Sequence, residues 1–293
     1  MRWLGLFILL VSMPAKGDEP VPPKHRLIYN EMTAVRNNPI GAMNLIEVMY
    51  RYRLFKPKHI LLNDTHASVG PFFDINPAAA ALGGVVRVKP LAVLQVSFSH
   101  AWIGYFGTFG LLQSFDSDGI DYSDTQLDKN EDAGQNFATT GSISKLETIL
   151  QAKVGPIAAR SALLATRYHI NTHGKPLWFD TGLDVLAPEK GWVVKNDLDL
   201  LWMGKKGLAL GSRWTWTRAL LGSASPGADH TDRVGPIAIY SWKKTPGAKF
   251  SHPTVVAMLQ WYVKHPYRTG GDVHQGIPYF AAGFLFSGDL VPW

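Results

Sequence analysis

The sequence contains no cysteine. This absence excludes disulfide bonds, a lipid anchor attached to cysteine, and metal sites built from thiolates. Charged residues are also scarce: they make up 18% of the 293 residues, whereas soluble proteins average about a quarter. Lysine and arginine are spread along the chain and the formal net charge is only +6. Because no basic cluster forms, we expect no nucleic-acid partner.

Long apolar runs are absent too, so the sequence predicts no transmembrane helix. The first 17 residues carry a shorter run, in which Arg2 precedes the apolar residues from Trp3 to Val11. Small residues follow at Ala15 and Gly17. This order predicts a secretory signal peptide over residues 1–17. The alternative is a membrane anchor, which would need a span of about 20 apolar residues.

The rest of the sequence alternates apolar and polar residues with period two. Residues 18–42 are rich in proline and predict an irregular lead, after which the alternation begins. Residues 193–202 show the pattern most clearly. The apolar set there is Val194, Leu198, Leu200 and Trp202, and the charged set is Lys195, Asp197 and Asp199. Such alternation is typical of strands with a different environment on each face.

The length of these segments distinguishes a membrane barrel from a soluble sandwich. They run for about ten residues, whereas strands of globular proteins average five or six. A tilted strand needs about 9–11 residues to cross a bilayer. Tryptophan and tyrosine lie near the segment ends, where an aromatic belt would meet the two membrane surfaces. The pattern therefore favours an all-β chain that spans a membrane.

These features together resemble a bacterial, Gram-negative outer-membrane β-barrel. The resemblance rests on the export signal, the lack of cysteine, the alternating segments and the terminal Trp293, and it covers residues 43–293. It implies a transmembrane antiparallel up-and-down barrel in the bacterial outer membrane. Outer-membrane lipid, lipopolysaccharide and the barrel-assembly machinery are the partners that it implies. Barrels of this kind have many functions, so the resemblance assigns none.

Turn lengths give an expected strand count. Short turns at residues 89–92, 154–156 and 204–207 are assigned to the periplasmic side. Residues 56–79, 105–141, 171–190, 219–233 and 265–276 then form the outer loops. About ten strands result, at residues 43–55, 80–89, 92–104, 142–154, 156–170, 191–203, 208–220, 233–243, 253–264 and 277–290. If residues 60–73 and 177–186 also cross, the count becomes about twelve.

The alternation assigns side chains to two environments. Charges expected to face the lumen are Glu47, Arg51, Arg53, Lys145, Glu147, Asp197, Asp199 and Arg213. Side chains expected to face lipid are Val194, Leu198, Leu200, Trp202, Trp214, Trp216, Phe284 and Phe286. Charges inside a narrow barrel must be paired, so the lumenal set predicts a filling of salt bridges. A narrow selectivity path is the alternative.

Few residues suggest chemistry. His66 and Ser68 share one strand face, and outer-membrane lipid hydrolases use a similar His-x-Ser pair at the outer rim of the barrel. Asp116, Asp118 and Asp121 lie in an acidic segment, but their spacing does not fit the twelve-residue calcium loop. We therefore expect no metal site, and no cofactor motif is found.

The expected function is accordingly that of a structural or narrow-channel, porin-like barrel without catalytic machinery. One alternative is an outer-membrane lipid hydrolase that uses His66 and Ser68. A second alternative is a surface receptor or adhesin that acts through its outer loops.

Overall fold

The computed structural model describes residues 21–56, 59–221, 230–242, 245–269 and 277–293, so the predicted signal peptide lies outside the described residues. None of the described helices is long and apolar enough to cross a membrane. The strands in chain order are β1 (His25–Asn37), β2 (Gly41–Arg53), β3 (His66–Asn76), β4 (Ala79–Leu91), β5 (Leu94–Tyr105), β6 (Ser114–Phe115), β7 (Thr139–Val154), β8 (Ile157–Ile170), β9 (Leu177–Asp180), β10 (Val185–Pro188), β11 (Lys190–Met203), β12 (Leu208–Ala219), β13 (His230–Ser241), β14 (Ser251–Lys264) and β15 (Tyr279–Asp289).

Twelve of these strands close into an antiparallel barrel, in the order β1-β2-β3-β4-β5-β7-β8-β11-β12-β13-β14-β15. The seam is closed by β1, in which Arg36 lies opposite Gly41 of β2 and Ala281 of β15. The barrel strands are 11–16 residues long, which is enough to cross a bilayer. Closure leaves no sheet edge, as a hydrocarbon environment requires for backbone groups.

The expected count of about ten strands is wrong, and the alternative of about twelve is confirmed. All ten expected segments form strands, and β1 and β3 are added. The barrel therefore begins at His25 and not near residue 43, and most of the expected irregular lead is β1. Residues 177–186 do not cross the barrel, because they form the hairpin of β9 and β10.

The two ends of the barrel differ in their connections. The short-turn end carries the turns at residues 92–93, 155–156 and 204–207, and the long-loop end carries residues 106–138 and 171–189. Residues 54–65, expected within an outer loop, lie at the short-turn end, where the Ala92 N–H donates to the Leu61 carbonyl over 2.8 Å. The expectation failed because β3 was not counted as a crossing strand.

Glycine allows strands to approach closely where the wall bends. A Cβ on Gly70 would lie 1.8 Å from the Val48 carbonyl oxygen, and one on Gly211 would lie 2.0 Å from that of Leu200. No larger residue fits these positions without moving the neighbouring strand. Glycines at such points provide the curvature that a closed sheet needs.

The long-loop end holds a small folded unit. β6, β9 and β10 form a three-stranded sheet, and helix α1 (Asp124–Asp132) begins at Ser123, whose side chain accepts the Gln126 N–H. Trp178 of β9 packs edge-on against Tyr105 and Tyr168 of the barrel wall, with ring centroids 5.6 and 5.2 Å apart. The hairpin is therefore inserted into the mouth of the barrel.

Candidate functional site in the barrel lumen

The two sides of the barrel wall differ in burial. The expected lumenal charges lie on the inner wall, where five are buried (Glu47, Glu147, Asp197, Asp199 and Arg213) and three are half-buried (Arg51, Arg53 and Lys145). The expected lipid-facing residues lie on the outer wall, where four are exposed (Leu200, Trp202, Trp214 and Phe284) and four are half-buried (Val194, Leu198, Trp216 and Phe286). Each expected set thus occupies one side of the wall.

An ionic cluster around Asp199 lies on the inner wall of the barrel. The register places Arg160 of β8 and Arg213 of β12 on either side of Asp199. The Asp199 carboxylate accepts from Arg213 Nη2 over 2.7 Å and from Arg160 Nη1 over 3.2 Å. Such a buried carboxylate is tolerated only because both partners neutralise it.

A second layer of polar side chains lies two residues from Asp199 along β11. The Lys195 ammonium is 3.0 Å from the Asp197 carboxylate, which also accepts from the Thr215 hydroxyl over 2.6 Å. On β13, opposite Thr215, the Arg233 Nε donates to Gln260 Oε1 over 3.0 Å, and its guanidinium lies 4.2 Å from the centre of the Tyr279 ring. These contacts extend the polar filling over β11 to β15.

The opposite wall carries its own ion pair. Glu47 of β2 accepts from Arg87 of β4 over 3.2 Å and from the Asn30 amide over 3.2 Å. Glu147 of β7 accepts from the Ser97 hydroxyl over 3.3 Å. Arg87, Arg160 and Arg233 were not among the expected site residues, although all three are buried lumenal cations. The sequence signal for these three arginines was their position in the polar set of the alternating pattern. Around Arg160 the flanking alanines obscure that pattern.

A charged clasp holds the inserted hairpin, and we name it the Arg268 clasp. Asp184, between β9 and β10, is 3.0 Å from Arg268 Nε and accepts from the Tyr262 hydroxyl over 2.5 Å. Arg268 also donates to Asp124 of α1 over 2.7 Å and to Asn38 over 2.6 Å. One guanidinium thus joins the hairpin, the helix and the turn after β1.

The charge state of Asp184 follows from these neighbours. Burial alone raises the pKa of its carboxyl group, but the charge of Arg268 and the contacts with His265 and Tyr262 outweigh burial. The pKa of Asp184 is therefore held well below its ordinary value. Asp184 is therefore ionised near neutral pH, and its contact with Arg268 is an ion pair.

The His66–Ser68 pair lies on the inner wall at the short-turn end. His66 Nδ1 is 2.9 Å from the Asp64 carbonyl oxygen and 3.8 Å from the Asp64 carboxylate, which also binds Lys89 over 3.0 Å. Neither His66 Nε2 nor Ser68 Oγ has a hydrogen-bond partner in the described chain, so the two atoms are not bonded to each other. Both residues are buried, and they lie at the end opposite the long loops.

The acidic segment does not assemble a metal site. Asp116 pairs with Lys175 over 3.5 Å, and Asp121 accepts the Ser123 N–H over 2.8 Å. Within the described ranges, no three side chains of histidine, cysteine, aspartate or glutamate converge in a way that could hold a metal ion.

Comparisons with known proteins identify no family. No protein-family model matches the sequence, and no curated protein matches it significantly. Among solved structures, the translocator domain of the autotransporter NalP from Neisseria meningitidis is 13% identical, with a TM-score of 0.42 over 90% of this chain and 87% of that one. CdiB from Acinetobacter baumannii is 8% identical, with a TM-score of 0.41 over 90% of this chain and only 60% of CdiB. Salmonella typhi OmpF is 9% identical, with a TM-score of 0.34 over 90% and 97% of the two chains.

The walls of the barrel identify its environment directly. The sheet is closed, its outer wall exposes large apolar side chains, and its inner wall buries charged ones. A closed sheet is the only β structure that satisfies all backbone groups in hydrocarbon, and an apolar outer band with a polar interior is the arrangement of outer-membrane barrels. The chain is a transmembrane β-barrel of the bacterial outer-membrane type.

Proposed function

We propose that this chain is an outer-membrane barrel of structural or narrow-channel type whose lumen is closed, and that it has no catalytic machinery. The observation that carries this proposal is the burial of the ionic cluster around Asp199 on the inner wall. The side chains of Arg160 and Asp199 are 0% exposed and that of Arg213 is 2% exposed. Solvent does not reach these side chains, which supports a lumen that is filled at this level.

The size of the barrel agrees with a filled lumen. Eight strands enclose a space just filled by side chains, whereas 16–18 strands leave a water channel. Twelve strands fall between these cases, so large inner side chains are needed to fill the space. Tyr279, Met32 and Met49 of the barrel strands are among the largest fully buried side chains. Trp178 of the inserted hairpin is another. The lumen therefore has two seals in series, the hairpin of β9 and β10 and the Asp199 cluster.

Planar-bilayer recording of the folded chain tests this proposal. We expect no large steady conductance from the wild type. Replacing residues 177–188 with a short glycine-serine linker should leave the barrel closed, because the Asp199 cluster remains. Changing Asp199, Arg160 and Arg213 together to serine removes the second seal without leaving an unpaired charge, and it too should stay closed while the hairpin is present.

Only the combination of both changes should give stepwise conductance. A large conductance from the wild type would refute a closed lumen. A combined variant that is folded yet silent would show that the passage is sealed by other residues. Heat-modified migration of each variant in detergent gels verifies that the barrel is folded.

The burial of His66 and Ser68 supports the absence of hydrolysis. A lipid substrate would have to enter the lumen at the short-turn end, and the Ser68 hydroxyl has no bond to a general base. We expect the detergent-folded chain to release no fatty acid from phospholipid or lipid A above background. Ser68→Ala should give the same result, whereas release that disappears in Ser68→Ala would establish a hydrolase.

A further inference from the structure

We infer that the outer wall at the long-loop end carries a site for one acylated, phosphorylated sugar lipid of the lipid A type. The site consists of the basic side chains Arg167, His169 and Lys190 and the groove beside them. The inference rests on the proposed placement of the barrel in the outer membrane, with the long loops on the outer side. It names the lipid contact that this placement makes possible.

Strand register groups the outward side chains into rows that run across five strands. One row near the rim contains Leu82, Trp102, Ser142, His169 and Lys190. The next row contains Gly84, His100, Ser144, Arg167 and Trp192. The third row contains Val86, Phe98, Leu146, Ala165 and Val194. Two partly polar rows thus lie above an apolar one, as at a headgroup boundary.

The three basic side chains lie within reach of one headgroup. His169 and Lys190 are directly opposite each other, which places their Cβ atoms about 5 Å apart. Arg167 and His169 share one strand face, about 7 Å apart. Arg167 and His169 are both exposed, and the Lys190 side chain is 61% exposed. Phosphate oxygens can therefore contact more than one of these side chains.

Arg167 in particular lacks a counter-charge. Lys190 has Glu189 at 3.6 Å, but no carboxylate among the described residues is within ion-pair distance of Arg167, which lies 5.8 Å from the centre of the Trp192 ring. An outward arginine is strongly destabilising at the bilayer midplane and is tolerated near the interface. Three residues from the end of β8, Arg167 is at the level where lipid phosphates supply the missing charge.

A groove beside the basic side chains accommodates an acyl chain. Its apolar wall is formed by Phe73, Leu82 and Trp102, and its polar wall includes His169 and Lys190. The floor between the walls contains Gly104, above which a Cβ would have no atom within 4 Å. An apolar chain next to a polar, cationic wall matches an amphiphile better than a soluble anion. Trp102 and Trp192 flank the basic side chains, as aromatic residues do at membrane interfaces.

The test measures lipid A retained by the full chain in phosphatidylcholine nanodiscs that contain a small fraction of lipid A. Native mass spectrometry after detergent release counts the lipids that remain on each barrel. We expect one retained lipid A on the wild type. Arg167→Gln combined with Lys190→Gln should lower retention about tenfold. The matched control, Lys153→Gln combined with Lys205→Gln, removes two exposed lysines at the short-turn end and should retain lipid A as the wild type does.

A second variant tests the groove without altering any charge. Gly104→Leu fills open space on the outer wall, so we expect it to fold normally and to retain less lipid A. Dephosphorylated lipid A should not be retained, and inorganic phosphate should not compete. Equal retention by the wild type and the Arg167/Lys190 variant, or no retention by the wild type, overturns the site. Failure of every variant to enter nanodiscs would instead refute the membrane placement.

Discussion

At the scale of single residues, the environment on each side of the wall determines what is tolerated. Leu198 lies on the outer wall, between Ser161 of β8 and Trp214 of β12. Leu198→Lys should lower the free energy of unfolding in lipid by about 2–4 kcal/mol, because the ammonium would face hydrocarbon. Leu198→Met is the apolar control and should cost less than about 1.5 kcal/mol. Urea unfolding in lipid vesicles measures both, and equal values would place Leu198 away from the bilayer.

On the inner wall, loss of a charge is the change that should lower the free energy of unfolding. Asp199→Asn leaves Arg160 and Arg213 buried side by side without a carboxylate. Breaking a buried ion pair in this way costs about 3–5 kcal/mol. The serine triple variant at Asp199, Arg160 and Arg213 should be less destabilising than Asp199→Asn, because it leaves no uncompensated charge. Urea unfolding ranks the two variants, and the reverse order would mean that the cluster is hydrated.

Which side a residue faces could be predicted where charged and large apolar residues alternate, as at Asp197 and Leu198. The prediction fails where the alternation is weak. Arg160 lies between Ala158 and Ala162 on the inner wall, and alanine does not distinguish lumen from lipid. The His66–Ser68 pair could be placed on one strand face, but its depth and its end of the barrel depend on closure.

At the scale of elements, the Arg268 clasp should control the inserted hairpin. Because the pKa of Asp184 lies below its ordinary value of 3.8, the ion pair contributes its full stability above about pH 4 and loses it as the pH falls toward the lower pKa. Protection factors from hydrogen exchange at residues 177–188 should therefore decrease as the pH falls below about 4.

Arg268→Gln provides the comparison for that measurement. Without the guanidinium, burial raises the pKa of Asp184, so the buried carboxyl is disfavoured once ionised, and protection of the hairpin should decrease as the pH rises, in the opposite direction to the wild type. Lys264→Gln is the control, since it removes a cation at the end of β14 that is not part of the clasp. Unchanged protection in Arg268→Gln would mean that apolar contacts alone hold the hairpin.

Two elements show why the strand count was uncertain from sequence. The outer side of β1 carries Glu31 and Thr33, which bond to each other over 2.7 Å and to Asn44 of β2. These polar residues hide the alternation of β1. Residues 177–186 have the opposite problem, because the hairpin is buried on both faces in the barrel mouth, so its apolar sequence resembles a crossing strand.

At the scale of the whole molecule, closure depends on β1. Strands β2 and β15 run in the same direction, since each is antiparallel to β1. Without β1 they would have to close the barrel as a parallel pair or leave two edges in hydrocarbon, where each unpaired backbone group costs several kcal/mol. Deleting residues 25–40 should therefore abolish the heat-modifiable folded form in detergent gels. Glu31→Leu combined with Thr33→Val keeps β1 and should fold. A compact, protease-resistant barrel formed by the deletion variant would contradict this prediction. It would mean that the barrel can begin at residue 43 and that the contact between Arg268 and Asn38 is not needed for closure.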